Sequence, residues 1–253
     1  MSNPIVTLIV VAVLGYAALC AALFAFQRSM IYYPQARSPV AGTTTLTLQA
    51  VGADVLVTVR EREGPNALIY LGGNAEDPGY SLPGLAAAFP EHAIYLLHYR
   101  GYGGSTGRPS ETALVSDALA LYDRVRVAHG DIVIVGRSLG SGIAVQMASK
   151  RPVARLVLVT PYDSLLEVAA WQFPLLPVRW LMLDKFESWK YVPMIVAPTL
   201  IIAAEHDEVI PRESTDALFE RFGDGAASKI VAGAGHNTIS EYPEYLSLLR
   251  GPP

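Results

Sequence analysis

Residues Ile5 to Phe26, "IVTLIVVAVLGYAALCAALFAF", carry no charge, and nothing later in the chain resembles them. These 22 residues make about 33 Å of helix at 1.5 Å per residue, enough to cross a bilayer core. Twelve are Ile, Val, Leu or Phe, each favouring insertion by about 0.3 to 0.6 kcal/mol. Arg28, Tyr32 and Tyr33 follow at once, a cation and two aromatics suited to headgroup level. Residues 1–27 therefore read as an N-terminal transmembrane anchor. A cleaved leader would want Lys or Arg before a shorter apolar run.

Past the span the pattern changes to short apolar runs separated by amphipathic stretches. "TLTLQAV" and "VLVTVRE" alternate across a Gly-Ala-Asp turn and predict an antiparallel pair. "ALIYLGG", "AIYLLHY", "DIVIVG", "ARLVLVT", "TLIIAAE" and "SKIVAGA" are continuous, as strands buried on both faces of a parallel sheet are. Helical patterns lie between them, around 82–89, 110–128, 141–150, 212–222 and 240–250. That alternation predicts an α/β fold in one domain, residues 28–253, with a mostly parallel eight-stranded sheet flanked by helices.

One connection is longer than a crossover requires. Residues 161–197 hold all three tryptophans, Trp171, Trp180 and Trp189, with Phe173, Met182 and Phe186. Ser164 and Glu167 have capping-box spacing, and Pro174 and Pro177 interrupt the helix they open. The segment reads as a helical cap over the carboxyl edge of the sheet. Trp171, Phe173, Trp180 and Met182 are its expected substrate-binding residues. The plainer reading is a packed excursion that thickens the core.

Two stretches match G-x-S-x-G, a pattern for a nucleophilic serine on a strand-to-helix turn: "GGSTG" at 103–107 and "GRSLG" at 136–140. Their contexts differ. Gly136 follows the strand pattern "DIVIV" and Gly140 leads into "SGIAVQMASK", so Ser138 sits where strand meets helix. Ser105 is several residues past its strand, and Arg108-Pro109 follows before a helix can start. Ser138 is the expected nucleophile, and "GYGGSTG" is a glycine loop that supports the site by packing.

A serine needs a base and an acid to act at neutral pH. "HDEVIP" places Asp207 after one strand, and "GHN" places His236 after the next, in the chain order serine, acid, histidine. His236 would take the Ser138 proton and Asp207 would orient its ring. Asp207 could instead cap the helix near Pro211, and Asp163 is a rival acid. His92, His98, His129 and His206 are rival bases, though none follows the last strand. The backbone N–H groups of Leu139, at the helix start, and Asn74, in "YLGGNAED", are the expected oxyanion donors.

The segments "LGGNAED", "HYRGYGGSTGRPSE", "GRSLGSG", "TPYDSL", "PVRW", "AEHDEVIP" and "GAGHN" together resemble the α/β-hydrolase superfamily. The resemblance is strongest to the membrane-tethered "abhydrolase domain-containing" serine hydrolases and their bacterial relatives, and it runs from about Ile31 to Tyr245. It implies the α/β-hydrolase fold, Ser138, Asp207 and His236 as a catalytic triad, and Asn74 and Leu139 as the oxyanion hole. Gly72 stands where many relatives have His, and His98 where relatives often have Asp.

Composition narrows the partners. The formal charge is −4, and with no Lys/Arg run nucleic acid is not expected. The single cysteine, Cys20, lies inside the apolar span, so no intrachain disulfide forms. No motif calls for a metal or organic cofactor. Arg28 and Arg37 after the span point the globular domain to the cytoplasm, on two charges. Ala17, Ala18, Ala21, Ala22 and Ala25 form a small-residue face suited to a homodimer through the span. The expected activity is hydrolysis of acyl esters or thioesters of lipids or lipidated substrates at the membrane. A serine peptidase or amidase of the same fold is the alternative enzyme, and a catalytically silent scaffold the alternative class.

Overall fold

The computed structural model describes residues 3–251. An apolar helix, α1 (Pro4–Ile31), opens the chain, with the Asn3 side chain capping it through the Ile5 N–H. It extends about five residues beyond the uncharged stretch, through Arg28, and ends where Tyr32 turns extended. None of its residues is fully buried, and its composition and length suffice to cross a membrane.

The rest forms one sheet of eight strands: β1 (Thr44–Ala50), β2 (Ala53–Arg60), β3 (Asn66–Leu71), β4 (Ala93–Leu97), β5 (Asp131–Arg137), β6 (Arg155–Val159), β7 (Thr199–His206) and β8 (Ala226–Gly235). Their order is β1-β2-β4-β3-β5-β6-β7-β8. Only β2 runs against its neighbours, and every pairing from β4 through β8 is parallel. The central strands are buried on both faces, which explains why "ALIYL", "IVIV" and "LVLV" show no alternation.

Helices cover the two faces. Beneath one lie α2 (Leu82–Ala88) and α8 (Pro243–Arg250), sharing a core with Tyr70, Val133, Val157 and Ile202. On the other lie α3 (Glu111–Arg126), α4 (Leu139–Ala148) and α7 (Arg212–Phe222), packed on Ile69, Ile134, Leu158 and Ile201. All of α4 is buried, so its sequence is apolar almost all round.

The 161–197 insert folds into α5 (Leu165–Gln172), α6 (Val178–Leu181) and two single 3-10 turns. Ser164 caps α5 by accepting from the Glu167 N–H, and Pro174 and Pro177 separate α5 from α6. The insert divides into a buried and an outer part. Phe186 and Val192 are core residues, whereas the α5–α6 segment stands over the carboxyl edge beside α1.

Candidate active site

Ser138 sits between β5 and α4 with φ 47° and ψ −116°, a conformation that costs a non-glycine residue about 1 to 3 kcal/mol. The glycines around it make the turn fit. A Cβ on Gly140 would lie 2.0 Å from the Leu71 carbonyl oxygen, and one on Gly136 would lie 2.6 Å from Ala144 Cβ. The strand end is held by the Ser138 N–H donating to the Val159 carbonyl at 2.9 Å. The Ser138 carbonyl accepts from both the N–H and the hydroxyl of Ser141, so α4 starts immediately.

The loops after β7 and β8 bring two further side chains to this serine. His236 Nε2 is 2.9 Å from Ser138 Oγ, and His236 Nδ1 is 2.9 Å from each carboxylate oxygen of Asp207. The ring is 5% exposed. Asp207 Oδ1 also accepts from the N–H groups of Val209 and Ile210, at 3.0 and 2.7 Å, which fixes the carboxylate toward the ring. A bulge between Ala204 and His206 shifts the register of β7 just before Asp207. It re-aims the chain at the point where the acid leaves the sheet.

The rival groups lie away from Ser138, His92 packing edge-on against Phe89. Asp163 accepts from the Ser214 hydroxyl on α7 at 2.6 Å. His98 meets Thr58, His129 meets Tyr95 and the Gly64 carbonyl, and His206 lies on the exposed end of β7. Burial, with the Arg37 cation second, lowers the pKa of His98 to about 4, so it stays neutral inside the fold.

Asn74 and Leu139 both border the cavity at Ser138. The loop carrying Asn74 approaches the nucleophile closely: a Cβ on Gly73 would be 3.6 Å from Ser138 Cβ. Asn74 is held rigidly by its own side chain. Its Oδ1 accepts from the Tyr33 N–H and the Tyr102 hydroxyl, and its Nδ2 donates to the Ile31 carbonyl at 2.6 Å. Tyr99 reaches the same loop, donating to the Gly72 carbonyl at 2.8 Å.

The glycine loop around Ser105 thus acts on the Asn74 loop through Tyr99 and Tyr102. Ser105 is buried; its hydroxyl donates to the His98 carbonyl and accepts from the Leu56 N–H. Gly101, Gly103, Gly104 and Gly107 all have positive φ, and a Cβ on Gly103 would lie 2.5 Å from His98 Nδ1. The neutral imidazole therefore packs where only a glycine leaves room.

Two cavities meet at Ser138. One, of about 480 Å³, is apolar; α1 contributes Leu23, Phe24 and Met30 to its wall, and the cap contributes Val168, Phe173 and Leu176. The other, of about 680 Å³, is polar and includes Glu76, Arg137, Asn237 and Ser240. Of the four aromatic and Met positions expected to bind substrate, Phe173 and Met182 line the apolar cavity. Trp171 and Trp180 are 63% and 89% exposed and lie outside it. In α5 the inward positions are Val168, Ala169 and Gln172, which leaves Trp171 on the outer side; in α6 Val178 and Leu181 face in, with Met182 just after its end, and Trp180 faces out.

Glu76 and Arg137 were not singled out by sequence. Glu76 accepts from the Gly73 N–H at 2.6 Å and from the Tyr70 hydroxyl at 2.6 Å, and Arg137 pairs with it at 3.4 Å. Burial holds the Tyr70 phenol far above its ordinary pKa, so it remains a donor to Glu76. The signal was present in "GGNAE", where an acid three residues past a glycine can close the turn on its N–H. Among the described residues, no group of three or more His, Cys, Asp or Glu side chains could hold a metal ion.

A family model described as alpha/beta hydrolase fold matches residues 66–192, about half of the chain and including the β5–α4 turn. The chain belongs to the α/β-hydrolase family. An uncharacterized protein of Mycobacterium tuberculosis is 34% identical over 235 residues, covering 83% of this chain and 80% of that protein. Alpha/beta hydrolase domain-containing protein 17B of Xenopus tropicalis is 34% identical over 199 residues, covering 75% of this chain and 67% of its own. Among solved structures, a Pyrococcus furiosus esterase superposes with a TM-score of 0.71 at 16% identity, covering 86% of this chain and 96% of that one. A proline iminopeptidase of Mycobacterium smegmatis gives 0.62 at 16%, covering 82% and 96%. These α/β-hydrolase neighbours share the fold, and between them they include both an esterase and a peptidase. The family points to hydrolysis.

Proposed function

We propose that this α/β-hydrolase is a membrane-anchored serine hydrolase that cleaves carboxylic esters or thioesters of long acyl groups through an acyl-enzyme. The observation that carries the reading is the hydrogen-bonded series Ser138, His236, Asp207, with the serine on a strained turn at the start of α4. Ser138 Oγ attacks the acyl carbonyl carbon as His236 Nε2 takes its proton, and Asp207 stabilises the imidazolium. The N–H groups of Leu139 and Asn74 receive the oxyanion, a contribution that can reach about 3 kcal/mol per donor. Collapse breaks the bond to the alcohol or thiol, which leaves with the proton from His236. Water then repeats the sequence to release the acid and free Ser138.

The two cavities support an amphiphilic substrate. An acyl chain fits the apolar cavity between the cap and α1, and the polar leaving group fits the cavity holding Glu76 and Arg137. The length of α1, and the half-exposed Arg28 and Tyr33 at its end, support its role as anchor, whereas Tyr32 is buried against the cap and takes no part in an interfacial belt.

Fluorophosphonate labelling of the full-length protein tests the chemistry. Wild type and Ser105→Ala should be labelled and Ser138→Ala should not; an unlabelled wild type would favour a silent scaffold. A p-nitrophenyl ester series from acetate upward, compared with aminoacyl amides, tests the bond and the chain. A preference ending at acetate, or faster amide turnover, would remove the acyl reading.

A further inference from the structure

Helix α1 is tied to the cap along about half of its length. Near its end, Gln27 donates from Nε2 to the Leu181 carbonyl at 3.1 Å and accepts at Oε1 from the Leu183 N–H at 2.7 Å. Arg28 pairs with Asp184 at 2.9 Å, and the Tyr32 hydroxyl donates to the same carboxylate at 3.1 Å. Tyr16 lies about 17 Å further toward the N-terminus at 1.5 Å per residue, and its hydroxyl donates to the Leu175 carbonyl at 2.8 Å. Between these contacts Cys20, Leu23 and Gln27 are the half-buried positions of α1, spaced as one face of a helix. The cap tip therefore runs alongside the apolar helix rather than stopping at its end.

Length then decides where the tip lies. Beyond Tyr16, the part of α1 that stands free of the cap among the described residues is Pro4 to Gly15, about 18 Å at 1.5 Å per residue. A bilayer's hydrocarbon core is about 30 Å thick. If α1 crosses the membrane, the missing thickness is occupied by the stretch of α1 that the cap accompanies.

The composition of the tip suits that depth. "FPLLPVRWLML", 173–183, carries one charge, Arg179, and that charge is paired with Glu167. Leu175 and Trp180 are 86% and 89% exposed, and Trp171 and Leu183 more than half. This apolar surface continues into the exposed Leu, Val and Phe side chains of α1. Continuous exposed apolar surface of this kind marks a membrane or protein contact, and its shared border with an apolar helix selects lipid.

We infer that the cap tip, Trp171 to Leu183, is seated in the headgroup and upper acyl region of the bilayer beside α1. The inference rests on α1 being the membrane anchor. The depth needed, about 12 Å, is close to the roughly 5 to 10 Å at which interfacial amphipathic elements sit, with local thinning of the bilayer accommodating the remainder. Phe24 and Phe173 are part of the apolar cavity's wall and are each nearly half exposed, so that cavity opens toward lipid. An acyl chain can then reach Ser138 without crossing water.

The test uses the full-length protein in phosphatidylcholine nanodiscs, with acyl-chain bromine as a short-range quencher of tryptophan. Trp171→Phe with Trp189→Phe leaves Trp180 as sole reporter; Trp171→Phe with Trp180→Phe leaves Trp189. Trp189 stacks under Lys190 and Arg221 and is expected outside the bilayer. Leu8→Trp in a tryptophan-free chain reports on α1 itself. Quenching of Trp180 and of Leu8→Trp, with Trp189 unaffected, is the expected result. Quenching of Leu8→Trp with Trp180 untouched overturns the inference and leaves the anchor standing. Loss of quenching at both positions removes the anchor reading and the inference together. If Trp180 is shielded from iodide only as copies per disc increase, and never quenched by bromine, the face belongs to a second copy and the inference fails.

Discussion

Ser138 occupies a backbone conformation that its neighbours must enforce, and the enforcement is visible at Gly140. The Cβ of Gly140→Ala would meet the Leu71 carbonyl 2.0 Å away, backbone against backbone, with no flexible side chain to yield. A loss of about 3 kcal/mol or more in thermal or urea unfolding is expected, together with loss of probe labelling. Asp207→Asn should leave the fold intact and lower kcat by about 10⁴, because the His236 tautomer is no longer set. His98 gives a pH signature of stability. Its pKa is about 4 in the fold against about 6.5 in an unfolded chain, so below 6.5 the unfolded state binds a proton that the native state refuses. Stability is complete above about pH 6.5 and falls toward pH 4 by on the order of 3 kcal/mol. Melting temperatures across that range should show a smaller slope in His98→Gln; an unchanged slope would assign the loss to other groups.

Among the elements, the glycine loop depends on an ion pair that neither partner's local sequence announces. Arg100 donates from Nε and Nη2 to the two oxygens of Asp117 on α3, at 2.6 and 2.7 Å, and from Nη1 to the Val51 carbonyl. Asp117→Ala leaves a cation with little access to water, and a cost of about 3 to 5 kcal/mol is expected in equilibrium unfolding. The strands and helices themselves were legible. "DIVIV" followed by Gly136 could be placed because a buried strand, a tight turn and a helix start all lie within a few residues. Asp207 and His236 were legible for the same reason, each standing just after an apolar run. The phase of α5 and α6 was not: eight- and four-residue helices broken by prolines do not record which way Trp171 and Trp180 face. Nor could local pattern pair Tyr16 with Leu175, separated by 159 positions. Such contacts are decided by tertiary packing alone.

At the scale of the whole molecule, α1 is both a candidate anchor and one wall of the cavity beside Ser138. Asp184 fastens this arrangement, being itself buried and holding Arg28 and Tyr32 from the cap side. Asp184→Ala should loosen α1 from the cap. Hydrolysis of long-chain esters should then fall several-fold more than that of acetate, which does not reach the α1 wall; an equal loss for both would show a general unfolding of the site.

The meeting of an apolar and a polar cavity at one serine also concerns what happens after the bond is cut. On the proposed reaction the acyl chain would occupy the apolar cavity and the polar leaving group the other, the two cavities meeting at Ser138. The two products would then leave by separate cavities, so turnover would require no common exit. Free fatty acid added to the membrane should therefore inhibit by competing for the acyl side. The released alcohol or thiol, added to the aqueous phase, should instead accept the acyl group from the enzyme and regenerate substrate.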